Sequence, residues 1–162
     1  DSPNEVLLPA IMGERRPITE IRPALNGYQK GYCFYCFTPI SVLGTAGDLG
    51  SDVDHFYPFS LGARGLPQDL DQVWNLVLAC QACNRGHGGK FASLPSANYL
   101  QRLHRRNEWL IASHHPLRET LISQTGKNAY ERNSFLKRIT KYAISIAGNQ
   151  TWAAPQEGEP QF

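Results

Sequence analysis

The chain has no cysteine outside two Cys-x-x-Cys pairs, Cys33/Cys36 and Cys80/Cys83, so no thiol is left over. It has no run approaching the about 18 continuous apolar residues that a membrane helix needs, which excludes a helical span. No segment has the pattern of a secretory signal peptide, and there is no internal repeat. Nor is there a large excess of one charge, the formal net charge being +2. What remains is 162 residues of ordinary apolar and aromatic content. That length suits one domain, or one compact core with helical decoration. The chain begins at Asp1 rather than Met and is expected to be a piece of a larger protein.

An even cysteine count in a secreted protein would suggest disulfides, but paired Cys-x-x-Cys spacing reads as zinc. A disulfide between cysteines three apart is also sterically awkward outside redox motifs. Asn149-Gln150-Thr151 matches a glycosylation sequon, a triplet that recurs by chance. The expectation is an intracellular protein.

The small net charge hides an asymmetry. Residues 1–84 carry 5 basic and 9 acidic side chains, and residues 85–145 carry 11 basic and 3 acidic. A basic second half behind an acidic, metal-ready segment suits a protein that handles a polyanion. A solvated helix surface carries the same charge, and charge alone does not separate the two.

Along the chain, residues 1–30 are punctuated by Pro3, Pro9, Pro17 and Pro23, which predicts a lead-in of loops and one or two short helices. Pro23 is placed to open a helix ending near Gly27 or Gly31. Residues 32–40 read as a tight knuckle with aromatic flanks, followed by a connector with Gly44, Gly47 and Gly50. Ser51 to Phe56 alternates as a short strand does, Val53 and His55 on one face and Asp52 and Asp54 on the other. Tyr57 to Asp71 reads as a long surface loop, Val73 to Ala79 as a second, buried strand. A short helix starts around Cys83 and Asn84, with Gly86, Gly88 and Gly89 behind it.

The remainder predicts helices. Leu100, Leu103, Leu110 and Ile111 form an apolar stripe over Ala97 to Ala112, with Arg102, Arg105 and Arg106 off it. A second helix runs from Pro116 to Gly126. A third, capped by Asn128 with Glu131, buries Phe135, Ile139, Tyr142 and Ile146 and stops at Gly148. Trp152 to Phe162 reads as a loose tail. The expected divisions are a lead-in (1–30), a core (31–95), a basic helical extension (96–150) and the tail (151–162).

A strand–loop–strand–helix of this kind brings Asp54, His55 and Asn84 towards one junction. Carboxylate and amide oxygens are hard ligands suited to Mg²⁺ or Mn²⁺. A neutral imidazole, with a pKa near ~6.5, takes a proton from water at neutral pH. Phosphodiester hydrolysis needs both functions, a base and a cation.

Residues 33–90 resemble the HNH endonucleases of the ββα-metal (His-Me finger) group. The matching pattern is Cys33-x-x-Cys36, then Asp52-Val53-Asp54-His55-Phe56-Tyr57-Pro58, then Trp74-Asn75-Leu76, then Cys80-x-x-Cys83-Asn84-Arg85. The resemblance covers about a third of the chain. It implies a ββα-metal core with a short antiparallel hairpin, which with the mostly helical C-terminal half read from apolar spacing gives an α+β fold. It implies His55 as general base, Asp54 and Asn84 as ligands of a catalytic divalent ion, and Asn75 as the residue that braces the histidine. Cys33, Cys36, Cys80 and Cys83 match the zinc-stapled subgroup. The implied activity is metal-dependent hydrolysis of DNA, double-stranded DNA being the expected partner together with other domains of a larger polypeptide. By analogy only, the setting would be a cytoplasmic, prokaryotic restriction or antiviral defence protein.

One departure is His87, where many members have Lys. Lys90 would then reach phosphate, or His87 itself would contact phosphate or metal, or His87 is a solvent-exposed histidine in a glycine loop. Arg85, Arg102, Arg105 and Arg106 are further candidates for phosphate. His104 reads as a surface or packing residue, His114 and His115 as a helix cap, and Tyr57 and Trp74 as packing residues. The competing reading is a non-catalytic, zinc-stapled nucleic-acid-binding module, which has no need of Asp54, His55, Asn75 and Asn84 together. A redox protein built on Cys-x-x-Cys fits the surrounding residues less well.

Overall fold

Two short strands, β3 (Ser51–His55) and β4 (Leu76–Cys80), pair antiparallel in a computed structural model that describes residues 7–9, 15–17, 21–42 and 50–162. Their register sets Ser51 against Cys80, Asp54 against Val77 and His55 against Leu76. Ahead of them lie β1 (Leu7–Pro9), β2 (Arg15–Pro17), paired antiparallel with β1, and helix α1 (Ile21–Gln29). The rest of the expected lead-in, and Gly44 and Gly47 of the connector, fall outside the described residues. Helix α1 runs through Gly27, and the chain leaves it at Gly31, whose φ of 84° suits a residue without a Cβ.

The 57–71 segment is more ordered than a surface loop. It forms a single turn, α2 (Ser60–Ala63), and buries Leu61, Leu66 and Leu70. A 3₁₀ turn at Val73–Asn75 then leads into β4, so the second strand starts three residues later than its apolar pattern suggests. Helix α3 (Gln81–Arg85) follows β4 without a break. β5 (Leu94–Pro95), α4 (Ala97–Ala112), α5 (Arg118–Thr125), α6 (Ala129–Ala147) and β6 (Thr151–Trp152) complete the chain. Asn128 caps α6 by accepting from Glu131 N–H at 2.9 Å, and Glu131 reaches back to Lys127 N–H at 2.8 Å. Among the described residues no helix is long and apolar enough to cross a membrane.

Every residue of β4 is buried. Its inner edge pairs with β3, while the outer edge is met by side chains and by Phe34 N–H, which donates to Leu78 O at 2.9 Å. The Gln29 amide donates to Leu78 O (2.8 Å) and accepts from Leu78 N–H (2.9 Å), the two bonds a third strand would make. From α4, the Arg106 guanidinium donates to Leu76 O (2.7 Å), Val73 O (3.2 Å) and Trp74 O (3.3 Å).

Three expectations are corrected here. Arg106 is fully buried and Arg102 nearly so, one turn apart on the inner face of α4. Both fill hydrogen-bonding roles that no aliphatic side chain could, and neither reaches solvent to meet phosphate. The buried face of α6 is Arg132, Phe135, Leu136, Ile139 and Ala143, with Tyr142 exposed. That face is turned from the apolar pattern because Arg132 enters it, donating to Glu108 of α4 at 2.6 and 2.9 Å. Finally, the tail is docked. β6 pairs in parallel with β5, Trp152 stacks on Tyr99 at 5.8 Å, Glu157 accepts from Arg102 at 2.6 Å, and Phe162 lies against Phe34, Phe37 and Tyr28.

Candidate active site and cysteine cluster

The two knuckles converge at one end of the hairpin. The possible ligand atoms of Cys33, Cys36, Cys80 and Cys83 all lie within 4.8 Å of one another, and Cys36 Sγ is 3.7 Å from Cys80 Sγ. A tetrahedral zinc with Zn–S near ~2.3 Å sets its sulfurs about 3.8 Å apart, so this spacing fits zinc and is far too long for a disulfide. Backbone N–H groups point at the sulfurs: Tyr35 N and Cys80 N at Cys33 Sγ (3.4 and 3.3 Å), and Cys83 N at Cys80 Sγ (3.4 Å). Such donors favour thiolate, the form that binds metal. The four thiols hydrogen-bond to one another, so Cys36 and Cys80 are pushed down while Cys33 and Cys83 are pushed up. The cluster is compatible with structural zinc. It ties the loop after α1 to the junction between β4 and α3.

Asp54 and His55 leave β3 on opposite faces, as their alternation predicts. The Asp54 carboxylate turns inward, where Tyr35 O–H donates to Oδ2 at 2.7 Å. Lys90 Nζ lies 3.1 Å from that oxygen and 3.4 Å from Oδ1, and donates to His55 O at 2.9 Å. Lys90 is fully buried, so it does not reach phosphate as its sequence position suggests. Burial pushes the Asp54 carboxyl up, and the Lys90 ammonium pulls it back. Burial pushes Lys90 down, opposed by Asp54. A paired ammonium and carboxylate is the arrangement that satisfies both groups.

Asn84, on α3, donates through Nδ2 to Asp52 Oδ2 at 2.9 Å, and exposed Arg85 donates to the same oxygen at 2.9 Å. The structure thus joins Asn84 to Asp52 and Asp54 to Lys90. It does not present Asp54 and Asn84 as an open pair of hard ligands, because Lys90 holds the cation position at Asp54. These residues do not fit a divalent ion shared between them.

Asn75 is fully buried and clamps the loop behind His55. Its Oδ1 accepts from Tyr57 N–H (2.8 Å), and its Nδ2 donates to Tyr57 O (3.0 Å) and Leu70 O (2.9 Å). Asn75 therefore braces the backbone on both sides of the site, and the imidazole has a different partner. His55 Nε2 lies 2.9 Å from Asp71 Oδ1. The ring also contacts Phe59, with centroids 5.3 Å apart, and keeps 18% of its side-chain surface in solvent. His87 and Arg105 are exposed and His104 is half-buried. His115 Nδ1 accepts from Leu117 N–H at 3.1 Å just ahead of α5, whose first turn has no side-chain cap, so the expected histidine cap is not formed. Tyr57 and Trp74 are both buried.

Sequence reasoning missed three participants. Asp52 was readable, since it shares a face of β3 with Asp54. Tyr35 carried a weaker signal, lying inside the first knuckle. Asp71 closes a long loop, and no spacing rule links it to His55. Comparison with protein-family models, with curated proteins and with solved structures finds no match.

Proposed function

We propose that residues 31–95 form an HNH-type, ββα-metal phosphodiester hydrolase module acting on DNA, with His55 as general base. The observation that carries this reading is the state of His55. It ends β3, its ring is tethered to a carboxylate, 18% of its side-chain surface remains in solvent, and the hairpin and helix around it are tied by four clustered thiols. A base needs that combination of fixed orientation and access to water. Zinc bound by the four cysteines would supply fold stability rather than chemistry. Exposed Arg105, Lys137, Arg138 and Lys141 are available to phosphates, exposed Arg85 would exchange Asp52 for phosphate, and His87 is exposed as well. Double-stranded DNA is the proposed substrate, and a restriction or defence protein the proposed setting by family analogy.

One observation favours the alternative, a zinc-stapled module that binds nucleic acid without cutting it: Lys90 seals Asp54, and Asn84 is turned to Asp52. Incubation with supercoiled plasmid in Mg²⁺, Mn²⁺ or EDTA separates the two. The nuclease reading expects nicked or linear product that His55→Ala reduces by roughly 10²–10⁴-fold. Binding without cleavage in every condition supports the alternative. The EDTA arm reads whether a divalent ion takes part.

A further inference from the structure

We infer that Asp71 is the positioning residue of His55, and that it leaves Nδ1 as the atom that takes the proton. The inference deepens the nuclease reading and rests on it for the catalytic part only. An ionised carboxylate offers acceptors and no donor. A neutral imidazole whose Nε2 is 2.9 Å from such an oxygen must therefore carry its proton on Nε2. Its lone pair then lies on Nδ1.

The surroundings hold that arrangement. Asp71 N–H donates to Asp69 Oδ1 at 2.9 Å, and the Asn75 clamp on Leu70 O fixes the residue just before Asp71. On the His55 side, Lys90 holds the backbone carbonyl and the Phe59 ring leans on the imidazole. A single buried asparagine thus fixes both the loop that follows the base and the loop that delivers its partner. The bracing that family resemblance assigns to Asn75 reaches the ring through Asp71.

In the step this serves, the Nδ1 lone pair takes one proton from a water. The water oxygen forms the new bond to phosphorus, the bond from phosphorus to the leaving oxygen breaks, and that oxygen takes its proton from solvent. Asp71 neither gains nor loses a proton. It fixes the tautomer and steadies the imidazolium that forms.

The test pairs a spectroscopic readout with kinetics. In ¹⁵N-histidine-labelled protein at alkaline pH, where the imidazole is neutral, His55 should give a slowly exchanging Nε2–H signal, with Nδ1 unprotonated. Asp71→Ala should abolish the slow exchange, and Asp71→Glu should restore part of it. On plasmid, Asp71→Ala should lower kcat by roughly 10–100-fold, as loss of an orienting partner does. KM should stay within about twofold and the effect should remain smaller than that of His55→Ala. Protonation of His55 on Nδ1, a ring signal indifferent to Asp71→Ala, or wild-type kcat in that variant overturns the inference. A wild type that leaves plasmid intact overturns the nuclease reading instead, and the ring signal then still decides whether Asp71 fixes His55.

Discussion

Lys90 Nζ lies 3.1 Å from Asp54 Oδ2, and the two side chains are among the most deeply buried charges described. The pair joins β3 to the segment after α3, and Tyr35 adds a second donor to the same carboxylate oxygen. Neither charge has water to fall back on.

Removing one partner should therefore hurt more than removing both. Lys90→Met strands a buried carboxylate and should lower stability by about 3–5 kcal/mol. The double variant Asp54→Asn/Lys90→Met should recover a large part of that loss. Chemical denaturation at fixed zinc reads both. Equal stability of Lys90→Met and wild type would mean that the pair is open to solvent.

The cysteine cluster should hold one zinc per chain, detectable by elemental analysis of folded protein. Cys80→Ser should lose the metal and much of the cooperative unfolding transition, since structural zinc carries about 10–16 kcal/mol of apparent binding free energy in small sites. Folded protein that stays metal-free and indifferent to chelator contradicts this.

Arg106 and Arg105 are neighbours with opposite roles. Burial pushes the Arg106 guanidinium down to about 10, so it remains protonated at neutral pH while it serves three carbonyls. Arg106→Met should destabilise by about 2–4 kcal/mol, because those acceptors lose a charged donor. Arg105→Ala should stay within about 0.5 kcal/mol of wild type. If Arg105 meets phosphate, its removal should flatten the salt dependence of DNA binding by about one unit of slope. Thermal melts and binding at several salt concentrations test the two halves separately.

Arg132 beside Glu108 holds that carboxyl below its ordinary value of 4.5. A depressed carboxyl contributes stability above its unfolded pKa, and that contribution is lost as pH falls through the folded one. Glu108→Gln should thus be less stable than wild type at neutral pH, and the gap should narrow as pH falls below 4.5 and through the depressed folded value. Melts across pH measure the gap, and a constant difference would assign the effect to something other than ionisation. Because Glu108 keeps 29% of its side-chain surface in solvent, the gap should be small and shrink in salt.

Much of the fold was legible because local rules govern it. The helix at Ala97–Ala112 follows its apolar spacing, α6 starts at Asn128 and stops at Gly148, and β3 alternates as written. The errors share a cause. Arg102 and Arg106 look like solvent-facing cations because long charged side chains usually are. Each is drawn inside by acceptors that come from distant segments. Trp152 and Phe162 look like parts of a polar tail because their partners Tyr99, Phe34 and Phe37 are remote in sequence.

The candidate site divides the same way. The spacing of four cysteines determined by itself that a tetrahedral sulfur cluster can form, and the Asp54-His55 pair on an alternating strand determined that acid and imidazole part to opposite faces. Only the tertiary structure decided what each then meets: Lys90 at Asp54, Asp52 at Asn84, Asp71 at His55. Spacing along one element fixes direction, by backbone geometry. Partners depend on how a long loop and a glycine-rich turn close, and on which buried groups must satisfy one another once water is excluded.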